Sequence, residues 1–460
     1  MMRRRVHIHA YLLALVCAGC ATLKAPPAPT MQTPEQFTAR RLDDAGLQAF
    51  IRRFTGKPAT TRWDLEQLTL AAMYFNPDLD VALADLKTSQ AGEITASQRP
   101  NPTLGLTPTH DAGASHPWVL GLDVNLPIET AGKRGRRIEQ ARALASAAEY
   151  RLGTAIWLVR GRVVNALIDL ATAQEFIDAY HGQAVAQSAV LQVFSERAMH
   201  GQLPSVTASQ MQIAYQQALL AENEAQAQAA DTRVKLAAAI GMSVGALNDA
   251  ALDFTGLNKS GVLVPGLHET LSRHTELMAS LAEYRAAHAA LELELAKQIP
   301  DVGLGPGYEW NRDGNKFTLG LSVTLPLFNR NEGPIAEAIA RRRQAAGRFN
   351  ARQAEIIGRL ETAEAALQRA GVSLRTAERL RATQREKRAR LQAQLRPGEV
   401  SRLPLLLAEA EIASAAVAGV QARAQGLHAK AALEEAAQVP QFGSAFDGHA
   451  LQLPRDNPGP

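Results

Sequence analysis

The stretch Leu120–Ile128 reads LGLDVNLPI, and Leu319–Leu327, 199 residues further on, reads LGLSVTLPL. Both alternate apolar with polar residues and close on Leu-Pro. The first set of apolar positions is Trp118, Leu120, Leu122, Val124 and Leu126; the second is Phe317, Leu319, Leu321, Val323 and Leu325. A period of two held this long predicts strands with one apolar face, at about 118–126 and 317–325. Partner strands are expected at about 102–108 and 302–310, across turns THDAGASH and NRDGN, which carry the Gly, Asn and Asp that reversals need.

Two such hairpins fit either a half-buried soluble sheet or a membrane wall. Their length favours the wall, because a tilted strand crosses a bilayer in about 9–11 residues. Trp118, Tyr308, Trp310 and Phe317 stand near strand ends, where an aromatic girdle sits. Four strands cannot close a barrel, and an open edge in lipid leaves backbone groups unpaired. The strands are therefore expected to be shared between chains, three copies giving a twelve-stranded barrel.

The likeness of the two stretches extends outward, since QRPNPTLGL from Gln98 answers QIPDVGLGP from Gln298. A period near 200 residues signals duplication of one large unit, being far longer than a solenoid repeat. Each half then runs into a long helix. No Pro interrupts the chain from Lys133 to about His200, a helix of roughly 100 Å at about 1.5 Å per residue. Leu152, Ile156, Val159, Val163, Ala166, Leu170, Ala173 and Ile177 recur at alternating spacings of four and three, a coiled-coil seam. The chain reverses at HGQLPS (200–205) and returns to about Ile240. The second half repeats this from about Ile335 to Gln394, with a reversal at LRPGEV (395–400) and a return to about Ala437. Shorter helices are expected near Leu65–Ser97 and Leu267–Lys297.

The first twenty residues have a basic start, a short apolar core and the small pair Ala18-Gly19 before Cys20, the plan of an export signal. The ending resembles a lipobox, which makes Cys20 the expected lipidation site, although Cys17 takes a position where Leu is usual. Ala21 after the cysteine resembles lipoproteins sent to the outer membrane. Loss of residues 1–19 leaves one cysteine and no intrachain disulfide. The expected organisation is a signal peptide (1–19), a lipidated tether with short helices (20–60), two repeats (61–260 and 261–437) and a tail (438–460).

With these features assembled, the chain resembles the TolC family of outer-membrane efflux proteins over nearly all of its mature length. LPIETAGKRGRR (126–137) and LPLFNRNEG (325–333) look most like its heavy-metal, CzcC-like branch. The resemblance implies a mainly α protein with membrane β: a homotrimer whose twelve-stranded barrel in outer-membrane lipid continues as a long α-helical barrel. It also implies two partners, a periplasmic adaptor and an inner-membrane pump of the proton-driven resistance-nodulation-division type. The expected function is a passive exit duct for heavy-metal cations; an exit duct for drugs and a coiled-coil scaffold without a pore stand as alternatives. Family tips commonly carry an Asp six residues after the turn glycine, where this chain has Thr207 and Pro404.

Two clusters are candidate sites. Lys133, Arg134, Arg136 and Arg137 lie where strand becomes helix and read as basic residues at the membrane interface or as a cationic collar. Gly201, Gln202 and Leu203, with Arg396, Pro397, Gly398 and Glu399, form the two reversals and are the expected adaptor-docking tip. His110 and His116 share one turn, but two histidines without a thiolate or acidic cluster fall short of a metal site, and the eleven histidines read as scattered over the surface. The net charge of +4 without a basic, aromatic-interleaved patch gives no sign of nucleic-acid binding. No phosphate loop or catalytic set is present, so no enzyme activity and no cofactor are expected.

Overall fold

A computed structural model describes residues 31–110, 112–113, 117–248, 250–258, 261–311, 314–395 and 401–442. Cys20, His116 and Arg396 to Glu399 lie outside the described residues. The described residues before Arg40 belong to a separate unit. It holds α1 (Pro34–Thr38), capped reciprocally by Thr33 and Gln36.

From Arg40 onward the chain is built on four long helices: α5 (Lys133–Met199), α6 (Ser205–Ile240), α10 (Glu332–Leu395) and α11 (Arg402–Ala437). At 67 and 64 residues, α5 and α10 are each about 100 Å long. Helix α6 packs along α5, while α11 packs against both α5 and α10. The seam read from the sequence is the buried stripe of α5: Leu152, Ile156, Val159, Val163, Ala166, Leu170 and Ala173 are all buried, and Ile177 is half-buried.

Shorter elements belt these rods, two of them reaching the first turns of the long helices. They are α2 (Ala45–Thr55), α3 (Leu65–Phe75), α4 (Pro77–Ser97), α7 (Val244–Asn248), α8 (Leu267–Arg273) and α9 (Thr275–Ala296), with a small parallel pair β1 (Arg62–Trp63) and β4 (Ala251–Leu252). The main core lies here: Leu47 and Ile51 of α2 and Leu68 and Met73 of α3 pack on Leu167 and Ile168 of α5 and on Leu236 of α6. Helix α3 is apolar nearly all round, as a helix wrapped by others must be.

Residues 438–442, which follow α11, lock the belt. Arg160 of α5 and Glu434 of α11 form a buried ion pair at 2.6 Å, with side chains 3% and 4% exposed. Arg160 Nη2 donates to the Phe442 carbonyl at 2.8 Å, and Glu434 Oε2 accepts from the backbone N–H of Gln441 at 2.6 Å. Partnered this fully, the two charges avoid the penalty of an isolated buried ion.

The remaining strands form one antiparallel sheet in the order β2 (Thr103–His110), β3 (Trp118–Ile128), β5 (Val302–Asn311) and β6 (Gly314–Val323). The second hairpin is tighter than the sequence predicts, with Asn311 opposite Gly314, so β6 begins at Gly314 rather than Phe317. It also ends at Val323 rather than Leu325, where the ladder with β5 runs out at Val302, and no other described strand lies beside residues 324–327.

His274 departs from the expectation of surface histidines. It stands at the N-cap position of α9, without a side-chain capping bond, and is 1% exposed. Burial pushes its pKa down to about 4; Arg359 and Arg352 add to the effect and Glu276 opposes it. A base whose folded pKa is depressed costs stability as pH falls from the unfolded value near 6.5 towards 4, since the unfolded chain takes up the proton and the folded one resists it. The full difference is on the order of 3 kcal/mol. Acid melts between pH 7 and 4.5 should therefore show a steeper loss of stability in the wild type than in His274→Gln.

Candidate channel wall and its junction with the helices

The register of the sheet sorts its side chains by chemistry. On one face Leu106 stands opposite Leu122, Leu122 opposite Tyr308 and Tyr308 opposite Phe317; towards the other end Leu126 faces Leu304, which faces Leu321. No residue of this face is buried. Phe317, Leu319 and Leu321 are 82%, 74% and 71% exposed. An apolar face this bare is a surface for hydrocarbon rather than for water. Its aromatic residues gather at the turn end, where His110 and Trp118 meet edge-on at 4.8 Å and Tyr308 and Phe317 lie tilted at 5.1 Å.

The opposite face is polar and shallow. It carries Asp123, Asn125, Glu309, Lys316, Thr318 and Ser322, with Lys316 opposite Glu309. Glycines sit beneath several of these side chains. A Cβ at Gly105 would come within 2.5 Å of the Asp123 carboxylate, one at Gly307 within 2.5 Å of Thr318 Oγ1, and one at Gly303 would collide with Ser322. The polar groups lie flat over glycine, so this face lines an open space instead of packing into a core.

At the other end of the sheet, both halves turn into their long helices through left-handed backbone: Ala131 and Gly132 (φ 53° and 69°) before α5, and Asn331 (φ 62°) before α10. The predicted basic cluster sits at the first of these turns, and its cations are paired. Lys133, 6% exposed, donates from Nζ to Asp301 at 2.7 Å and to the Ile299 carbonyl at 2.6 Å. Arg134 Nε donates to the Ser97 carbonyl at 2.6 Å. Arg136 bridges Glu139 at 2.9 Å and Glu292 at 2.5 Å, and Arg137 pairs with Glu129 and donates to the Gln98 carbonyl at 3.3 Å.

Asp301 is the hub of this junction, accepting also from Thr130 N at 2.9 Å. Burial pushes its pKa up, but the bonds from Lys133 and Thr130 outweigh that and hold it below the usual carboxylate range. The cluster thus braces the start of α5 against the segments that feed β2 and β5. Asn331 does the corresponding work in the second half, donating from Nδ2 to the Glu294 carbonyl at 2.8 Å. Sequence reasoning missed Glu129, Asp301 and Asn331; the local sign was only that Asn replaces Ala-Gly at the second strand-to-helix turn.

At the first tip reversal, Gly201 has φ 69°, and Gln202 N donates back to the Arg197 carbonyl at 2.8 Å. Gly201 and Gln202 are exposed and Leu203 is half-buried. The second reversal, residues 396–399, lies outside the described residues. No group of three or more potential metal ligands occurs among the described residues.

Charge should separate the two faces of the sheet. Leu321→Arg places a cation against hydrocarbon at a cost of about 2–4 kcal/mol near the midplane, whereas Ser322→Arg projects from the polar face. Outer-membrane yield of folded protein, read by heat-modifiable mobility, should fall for Leu321→Arg and hold for Ser322→Arg.

Comparison with known proteins agrees with this geometry. The cobalt-zinc-cadmium resistance protein CzcC of Cupriavidus metallidurans is 27% identical over 277 residues, 60% of this chain and 66% of its own length, just under two thirds. The nickel-cobalt-cadmium resistance protein NccC of Alcaligenes xylosoxydans is 25% identical over 346 residues, 74% of this chain and 70% of its own. The crystal structure of the outer membrane protein VceC from Vibrio cholerae superposes with a TM-score of 0.66 at 19% identity, covering 81% of this chain and 95% of that one, and so shares the fold. The outer membrane efflux protein family matches residues 68–242 and 266–437, each long helical hairpin together with the strands that precede it, and the chain belongs to that family.

Proposed function

We propose that this protein is the outer-membrane exit duct of a tripartite efflux system for heavy-metal cations. The observation that carries this reading is the sheet: an uncovered apolar face, a polar glycine-backed face and two unpaired edges, joined to helices of about 100 Å. Three copies closing edge to edge give a twelve-stranded barrel, and their helical hairpins continue it as a duct through the periplasm. The duct is passive: it belongs to a family of channels rather than enzymes, and the energy comes from an inner-membrane resistance-nodulation-division pump reached through a periplasmic adaptor. The adaptor docks on the tip turns, Gly201 to Leu203 and Arg396 to Glu399. The basic cluster at Lys133 to Arg137 marks the inner membrane boundary while bracing the wall.

Metal cations are the cargo because the relatives over most of the chain are resistance proteins named for cobalt, zinc, cadmium and nickel. Cys20 carries the lipid that holds the chain at the membrane.

Deleting the gene in its host should lower tolerance to zinc, cobalt or cadmium and leave tolerance to dyes and antibiotics unchanged, with the wild-type chain restoring it. Sensitivity to drugs with metal tolerance intact would replace metal with small-molecule cargo. Cys20→Ser should abolish incorporation of labelled palmitate; label retained in that variant would place the anchor elsewhere.

A further inference from the structure

The two copies of the strand pattern differ in charge at one place. The fourth residue of LGLDVNLPI is Asp123, and the fourth of LGLSVTLPL is Ser322. Asp123 is the central residue of β3 and so stands midway along it. It lies on the polar face, with Gly105 opposite it on one neighbouring strand and Gly307 on the other. We propose that Asp123 sets the charge preference of the duct. Copies of the chain closing around water place these carboxylates as a ring at mid-height of the wall, where they concentrate hydrated metal cations and disfavour anions. This rests on the multi-chain duct proposed above and deepens it by naming the residue that selects cargo by charge.

The charge of Asp123 is uncompensated. Its side chain is exposed, and among the described residues no cation pairs with it and no donor bonds its carboxylate. The other described charges of this face, Glu309 and Lys316, stand opposite each other and offset one another. At the base of the sheet Glu129 and Asp301 are held by Arg137 and Lys133. The polar neighbours of Asp123 on this face, Thr107, Asn125 and Thr318, are neutral and cancel none of its field.

The carboxylate also has room around it. It lies flat over Gly105, where an added Cβ would come within 2.5 and 2.6 Å of its two oxygens. Gly121, Gly305 and Gly307 leave the wall beside it without side chains. A cation can therefore approach with its water in place. Selection is by field rather than by coordination, since no group of three or more metal ligands occurs among the described residues of the chain.

Nor does the strand itself need the charge. Ser322, which takes the place of Asp123 in the second copy of the pattern, lies on the same face and likewise over a glycine, Gly303, and β6 forms there with a hydroxyl. Repeating an unneeded carboxylate in every copy adds repulsion to the closed wall, and the return is the potential it sends into the lumen. Charge of one sign on a low-dielectric wall raises the local concentration of counter-ions. The reach of the field depends on salt: the Debye length is about 30 Å at 0.01 M and about 3 Å at 1 M, so the ring acts across the lumen only when salt is low.

The test is the reversal potential of purified full-length protein in a planar bilayer under a potassium chloride gradient. At about 0.01 M salt the ratio of potassium to chloride permeability should fall by roughly twofold or more in Asp123→Ser, and at about 1 M the variant and the wild type should agree. Asp123→Asn, which keeps the shape of the side chain, should behave in the same way. Asp123→Ser combined with Thr318→Asp returns a carboxylate to the same row, across Gly307, and should recover the preference for potassium. An unchanged ratio in both single variants would overturn the role of Asp123. Loss without recovery in the double variant would make Asp123 a structural residue of the wall instead of the charge that selects. Folded, inserted wild-type protein that carries no current would overturn the duct reading itself, and the role of Asp123 with it.

Discussion

Backbone amide and carbonyl groups in hydrocarbon have no water to bond, and each one left unpaired costs several kcal/mol. This constraint governs the whole molecule. Its four-stranded sheet has an apolar face too bare for water and two edges with no neighbouring strand among the described residues. Such a sheet is stable in lipid only when closed on itself, and four strands are too few to close. The proposed closure of several copies edge to edge is one way of meeting that requirement.

A wall that continues as free-standing helices needs a stiff joint, because a bend there would misalign every strand. The chain supplies the joint by sending each long helix out through one or two left-handed residues and pinning the first turn. Lys133 on Asp301, Arg137 on Glu129 and Asn331 on Glu294 all tie the start of a long helix to neighbouring junction segments. Lower down, the Arg160–Glu434 pair and the buried Phe442 tie the first half to the second through the belt. Partners for these cations come from the same chain, so the basic cluster is a structural brace first, and the charge it shows to lipid or to the duct is what those bonds leave over.

Much of this was legible in the sequence, for physical reasons. Lipid and water face opposite sides of a strand, so the alternation in LGLDVNLPI and LGLSVTLPL marks both the strands and their lipid face. The seam from Leu152 to Ala173 was legible because a coiled coil repeats its apolar positions. What escaped depends on contacts distant in the chain: Lys133 meets Asp301 across 168 positions and Arg160 meets Glu434 across 274, with no local pattern announcing either. His274 escaped for the same reason, since its burial is made by elements far from it in sequence. The hairpin at Asn311 and Gly314 was misjudged by a few residues because Gly, Asn and Asp signal a reversal without fixing how tightly the ladder closes.

The most direct test of the central claim, that copies of this sheet close around water, is conductance in a planar lipid bilayer. Purified, folded wild-type protein added to one side should produce discrete, long-lived current steps. Protein that retains its β-sheet signal and inserts into the bilayer, yet leaves the current at the level of bare lipid, would contradict the account.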